Sequence, residues 1–215
     1  MPHRPLATTR RRVITAGSWL ATLALLPKAV LAALIPTPRQ SLGPFYPDEL
    51  PLDSDNDLVR VEGREGIAKG EIADLSGRVL DADGQPIAGA LVEIWQCDAN
   101  GRYRHPRDDR RVPLDPNFQG YGRSTTDADG RYRFRTIKPV PYPGRAPHIH
   151  FAVSAPGREP LVTQMYVRGA PENRRDWLLN GVRDAAAREA LIVAFVPSAD
   201  DPVAALKAQF DLVLA

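Results

Sequence analysis

Short runs of two-residue alternation, each closed by a tight-turn tetrapeptide, constrain this chain more than any other feature. Ala90, Val92, Ile94 and Gln96 alternate with Leu91, Glu93 and Trp95, and Tyr132, Phe134 and Thr136 alternate with Arg131, Arg133 and Arg135. Period two is the side-chain repeat of a strand, and β-branched and aromatic residues suit a pleated surface. The tetrapeptides Asp81 to Gly84, Asp98 to Gly101 and Asp127 to Gly130 are turn signals, because Asp and Asn bond their own backbone and Gly takes the left-handed conformation. Further strands are expected at Leu75 to Val79, Tyr121 to Thr126, His148 to Ser154 and Leu161 to Val167, with a last one through Phe210, Leu212 and Leu214. Only Ala185 to Ala190 reads as helix, one or two turns long. The expected fold is therefore all-β: a two-sheet β-sandwich with long loops and little helix.

The 215 residues, at a formal charge of +2, give no reason to expect a nucleic-acid partner. Arg10, Arg11 and Arg12 precede an apolar stretch from Ala16 to Leu34 that ends in small residues, the pattern of a twin-arginine-type signal peptide over 1–32. An exported protein, periplasmic or extracellular, with no stable membrane insertion after cleavage is expected. Residues 33–70, rich in proline and acid, are expected to form an extended N-terminal arm, with 71–215 as the sandwich domain. The single cysteine, Cys97, excludes an intramolecular disulfide and a Cys-rich zinc site, and is expected to be a small buried hydrophobe. Trp95 reads as core, and Arg123, Arg131, Arg133 and Arg135 as a solvated face.

Of the four histidines, His3 lies in the N-terminal segment and His105 among charged residues, where it is expected to be exposed and not a ligand. His148 and His150 flank Ile149, so on a strand their imidazoles share one face. Alone, the pair reads first as surface or hydrogen-bonded histidines and only second as metal ligands. A proline-dense loop, Pro139 to Pro147, precedes it and carries Tyr142 and Arg145. Dense proline lowers the entropy cost of holding one loop shape, as a preorganised site requires. Two other readings stay open at this point: an exported β-sandwich binding module without catalysis, and a zinc or copper enzyme that adds His105 to the pair.

The segments Gly43 to Pro47, Val92 to Gln96, Gly101 to His105, Thr136 to Pro139, Pro141 to Pro143, His148 to Phe151 and Thr163 to Tyr166 occur in this order. Together they resemble the intradiol ring-cleavage dioxygenases, from about Leu42 to the C-terminus. The resemblance implies one Fe(III) per chain held by Tyr103, Tyr142, His148 and His150. It gives Arg145, Gln164 and Tyr142 catalytic roles, with Tyr142 also taking a substrate proton. The implied reaction opens a catechol-type ring with O2 between its two hydroxyls to a muconate-type diacid, in the protocatechuate, catechol and hydroxyquinol class. It also allows a homo-oligomer or a related partner chain. The ligand set is chemically coherent. Fe(III) prefers anionic oxygen, and two tyrosinates with two neutral imidazoles supply charge and complete the donor set. Two departures reshape the expected pocket wall: the loop between Tyr142 and His148 is short, and Gly144 stands where the protocatechuate enzymes of the family carry a tryptophan.

Overall fold

The computed structural model describes residues 34–51, 53–199 and 205–215, together with Met1. The expected signal segment lies outside the described residues. Among the described residues, two five-stranded sheets form the fold. In the first, β1 (Ile72–Asp81) is central. β4 (Arg131–Ile137) runs antiparallel along one edge, and β9 (Leu206–Gln209) and β10 (Leu212–Leu214) lie in succession, parallel, along the other. β8 (Val196–Pro197) closes the far side of β9. The second sheet has the order β3-β2-β5-β6-β7, built from β3 (Tyr121–Thr125), β2 (Leu91–Trp95), β5 (His148–Ser154), β6 (Leu161–Val167) and β7 (Ile192–Val193). Two short helices, α1 (Trp177–Gly181) and α2 (Ala185–Ala190), link β6 to β7. None of the described helices is long and apolar enough to cross a membrane. The all-β sandwich reading is correct.

The last expected strand is the exception. Phe210 does not extend β10 but sits in a break between β9 and β10. Its buried ring packs edge-on against Phe151 at 5.1 Å, and its carbonyl accepts the Tyr132 hydroxyl. The Asp211 carboxylate takes the Arg78 N–H at 2.8 Å, where an unbroken ladder would use a backbone carbonyl. Alternation of Phe210, Leu212 and Leu214 suggested one strand, but side-chain and carbonyl bonding interrupts it.

The core between the sheets takes one side of each strand: Leu75, Val79, Tyr132 and Phe134 from the first, and Val92, Ile94, Ile149, Phe151, Val153 and Met165 from the second. Burying a side chain of this size contributes roughly 1.5–3 kcal/mol. The outer side of the second sheet is also covered. Trp95, Cys97, Tyr103 and Tyr121 form a second buried cluster, against which Phe45 and Tyr46 of the arm pack. β5 thus has no solvent face over most of its length.

The segment 34–70 crosses this outer face with a single bridge, Asp57 to Arg135, as its only sheet pairing among the described residues. It is fastened chiefly through its backbone. Gln40 N donates to Val162 O at 2.8 Å, Thr163 Oγ1 to Pro38 O at 2.7 Å, and Gln164 Nε2 to Ser41 O at 3.1 Å.

Candidate metal centre

Strand periodicity builds the floor of the site. Because β5 alternates, Ile149 and Phe151 enter the core while His148 and His150 project under the arm, with their Nε2 atoms 3.2 Å apart. Both rings are held. His148 Nδ1 lies 2.6 Å from the Ala146 carbonyl, so Nδ1 carries the hydrogen and Nε2 presents its lone pair to the cluster. The His150 ring stacks on Trp95, with centroids 4.7 Å apart and 10° between planes. On its other flank is Gly43, whose φ of 73° and close approach leave little room for a side chain: a Cβ would lie 3.1 Å from His150 Cε1.

Tyr103 arrives from the turn after β2. Asp98 organises that turn by accepting the Asn100 and Arg102 N–H groups at 2.9 and 3.0 Å. Buried Asp108 then takes the Tyr103 N–H at 2.8 Å, and Phe45 stacks on the phenol ring at 4.6 Å. The Tyr103 hydroxyl reaches 3.3 Å from His148 Nε2.

Tyr142 and Arg145 are brought side by side by one reverse turn. Arg145 N donates to Tyr142 O at 2.9 Å, with Pro143 and Gly144 between them and Gly144 at φ 82°. Proline at the second position and left-handed glycine at the third define a type II turn. The Tyr142 ring stands 5.6 Å from Tyr103 and 5.5 Å from His148. Arg145 Nη1 points at its hydroxyl from 3.5 Å, and Arg145 Nη2 bonds Gln164 Oε1 at 2.5 Å. No atom lies within 4 Å of a Cβ built on Gly144, so the wall is open there.

All the sequence-designated residues therefore converge, and their electrostatics agree. Desolvation, with Arg145 adding to it, pushes His148 down to about 3. Desolvation, His148 and Arg145 hold His150 well below the usual histidine range. Burial raises both phenols, Tyr103 strongly, while Arg145 pulls Tyr142 back toward ionisation. Two neutral imidazoles and two phenols face one another, three of the four buried and Tyr142 half-buried, and among the described residues no carboxylate joins them. Buried acceptors gathered this way fit a hard cation that displaces the phenolic protons, and the O2N2 donor set suits Fe(III).

His105 departs from expectation. It is buried, not exposed. Its Nδ1 accepts the Arg107 N–H at 3.1 Å and its Nε2 faces Asp48 at 3.4 Å, so its lone pair is spent on backbone. Among the described residues, no group of three His, Cys, Asp or Glu side chains is placed to hold a metal, which removes the His105-based zinc or copper reading. Cys97 and Trp95 are buried as expected, and of the four arginines Arg123, Arg131 and Arg133 are exposed while Arg135 is half-buried beside Asp74.

Sequence reasoning missed Asp176, which is fully buried and bonds Arg145 Nε at 2.9 Å. An Asp ahead of an apolar helical turn signals an N-cap, but nothing in the sequence ties it to a loop 30 residues upstream. Arg110 was missed as well. Paired with Asp108, it lies over the Tyr142 ring, with Cζ 5.1 Å from the centroid.

Comparison with known proteins agrees with this geometry. A family model described as a dioxygenase matches residues 42–215. The protocatechuate 3,4-dioxygenase beta chain of Burkholderia cepacia is 43% identical over 185 residues, covering 82% of this chain and 78% of that one. A hydroxyquinol 1,2-dioxygenase of Corynebacterium glutamicum is 34% identical over 162 residues, 66% of this chain but only 50% of the relative. Among solved structures, the dioxygenase domain of a carbohydrate-binding fusion protein from Streptomyces sp. SirexAA-E superposes with a TM-score of 0.64 at 32% identity, covering 84% of this chain and 98% of that one. Catechol 1,2-dioxygenase from Acinetobacter sp. ADP1 superposes at 0.63 and 30%, over 83% and 62%. Family, fold and the convergence of two tyrosines with two histidines point the same way: the chain belongs to the intradiol ring-cleavage dioxygenases.

Proposed function

We propose that the chain binds one ferric ion through Tyr103, Tyr142, His148 and His150 and opens a catechol-type ring between its hydroxyls with O2, giving a muconate-type diacid. The observation that carries this reading is the clustering of the Tyr103 hydroxyl and His150 Nε2 within 3.3 Å of His148 Nε2, with the Tyr142 ring beside them. When bound, the ion supplies Lewis-acid charge that ionises the diol and templates its reaction with O2.

The protein groups do the rest. Tyr142 is the more accessible phenol and is linked to Arg145, which makes it the group that takes a proton from the incoming diol. The Arg145 guanidinium, fixed by Gln164 and Asp176, lies where negative charge develops on the substrate and stabilises it without reorganising. The imidazoles, neutral across the working pH range, hold no proton that competes with the ion. Gly43, Phe45 and Tyr46 keep bulk water from the His150 and Tyr103 side. The relatives are named for protocatechuate, hydroxyquinol and catechol, and the open wall at Gly144 is compatible with a substituted ring.

A visible spectrum of the iron-loaded protein, before and after anaerobic addition of a catechol, tests this reading. A tyrosinate-to-iron band that shifts with catechol supports it, and a loaded protein without such a band refutes it. We read residues 1–32 as an export signal, which a cell-fractionation experiment with and without the paired arginines checks. The name of the 43%-identical relative, a beta chain, motivates a test for a partner subunit by light scattering of the purified chain.

A further inference from the structure

Asp176 sits outside the set of residues that would touch iron or substrate, yet its carboxylate accepts four hydrogen bonds, as many as the Arg145 guanidinium donates. Its carboxylate is 1% exposed. One oxygen, Oδ2, accepts from Arg145 Nε and from Ala146 N, both at 2.9 Å. The other, Oδ1, accepts from Leu178 N at 3.1 Å and Leu179 N at 3.0 Å, capping α1. Four donors therefore meet one carboxylate, and both oxygens are fully used.

Each bond to Oδ2 leads into the site. The bond to Nε fixes the far edge of the Arg145 guanidinium, leaving Nη1 to face the Tyr142 hydroxyl and Nη2 to bond Gln164. The bond to Ala146 N fixes the peptide unit next to the Ala146 carbonyl, which is the acceptor for His148 Nδ1. One carboxylate thus stands behind two functional side chains. Its charge state is secure. Burial alone would raise its pKa, but the N–H groups of Leu179 and Ala146 and the Arg145 guanidinium outweigh burial and hold it below the usual carboxylate range. A structural carboxylate needs only the cap on α1, and the two bonds from Oδ2 go beyond that need.

We propose that Asp176 is the positioning residue of the site, aiming the Arg145 guanidinium at the Tyr142 side through Oδ2 and, through Ala146, fixing the His148 tautomer that presents Nε2. The proposal rests on the ferric reading given above. Its two arms are separable, since one passes through Arg145 and the other does not.

Asp176→Asn separates positioning from folding. Asn is a good N-cap, so α1 keeps its start. An amide has one acceptor oxygen: if that oxygen caps α1, its NH2 opposes the Arg145 and Ala146 donors. Asp176→Ser is the second variant, because serine also caps but is too short to reach Arg145. The measurements are kcat and KM under full iron loading, the rate of iron loss to a chelator, and the visible tyrosinate band. They are made for wild type, both variants, Arg145→Gln and the Arg145→Gln/Asp176→Asn double variant.

The expected result is a kcat about 10–100-fold lower in either Asp176 variant with KM within about threefold, and iron loss about tenfold faster. In the Arg145→Gln background, replacing Asp176 changes kcat by less than about threefold, while the faster iron loss persists. A merely structural carboxylate would instead give additive kcat losses. Additive losses, or an iron-loaded Asp176→Asn protein with wild-type kcat and iron retention, overturn the proposal. A wild type that shows neither a tyrosinate band nor ring cleavage refutes the ferric reading and not the role of Asp176.

Discussion

Iron loading is expected to expel two protons from this site, both from tyrosine. In the metal-free protein burial keeps Tyr103 and Tyr142 protonated, since both phenols lie above their usual value near 10. Burial has already stripped the histidines, with His148 pushed down to about 3 and His150 well below the ordinary range. The sign follows directly. The binding form of each phenol is the deprotonated one and its free-site pKa lies above the working pH, so apparent affinity rises with pH. Each proton released contributes about tenfold per pH unit, so two give about hundredfold per unit, or about 10⁴-fold from pH 6 to 8. Removing one phenol halves the slope. The assay is competition for Fe(III) against a chelator at several pH values, comparing wild type with Tyr103→Phe and with Tyr142→Phe, so that hydrolysis of free iron and protonation of the chelator cancel. A difference in slope of about one proton for each substitution is expected. Equal slopes in all three proteins would refute the reasoning, and so would a wild-type slope that steepens near pH 6.5 as ordinary histidines titrate.

Two further substitutions test the surroundings. Gly43→Ala forces a left-handed residue against His150, at a backbone cost of about 1–2 kcal/mol, and should speed iron loss several-fold with only a small drop in melting temperature; wild-type retention would show that the arm does not buttress the ligand. Arg110→Met removes the cation over the Tyr142 ring, raises the energy of its phenolate electrons and should move the tyrosinate band to longer wavelength; an unmoved band, or a shift the other way, refutes that contact.

The strands that carry the site were legible because their two faces differ in chemistry. His148 to Ser154 and Leu161 to Val167 agree with the structure residue for residue, since turn residues bound them and β-prone side chains fill them. The two-residue strands β7 and β8 and the helix α1 were not legible. They are too short to show a period, and β7 is held by parallel pairing to β6, a partner far away in sequence. The site itself divides the same way. Tyr103, Tyr142, Arg145, His148, His150 and Gln164 could be named because ordered motifs carried them. Asp176 acts through two long-range bonds and Arg110 through a ring contact, and His105 looked exposed because its charged sequence neighbours conceal that its ring turns inward. The break at Phe210 was hidden because a buried aromatic fits both a strand and a plug.

The arm's mode of attachment bears on how proteins of this kind diverge. Val162, Thr163 and Gln164 grip the arm by the backbone of Pro38, Gln40 and Ser41, so most of that fastening is indifferent to which side chains those positions carry. The neighbouring arm residue Phe45 lies beside the aromatic pocket, and Leu42, three residues before it, is exposed to solvent. Inheritance can therefore rewrite the arm's side chains, and with them the pocket's rim, while the seat stays the same. Substitutions in that one short stretch can alter the mouth of the pocket while the strands beneath it keep their register.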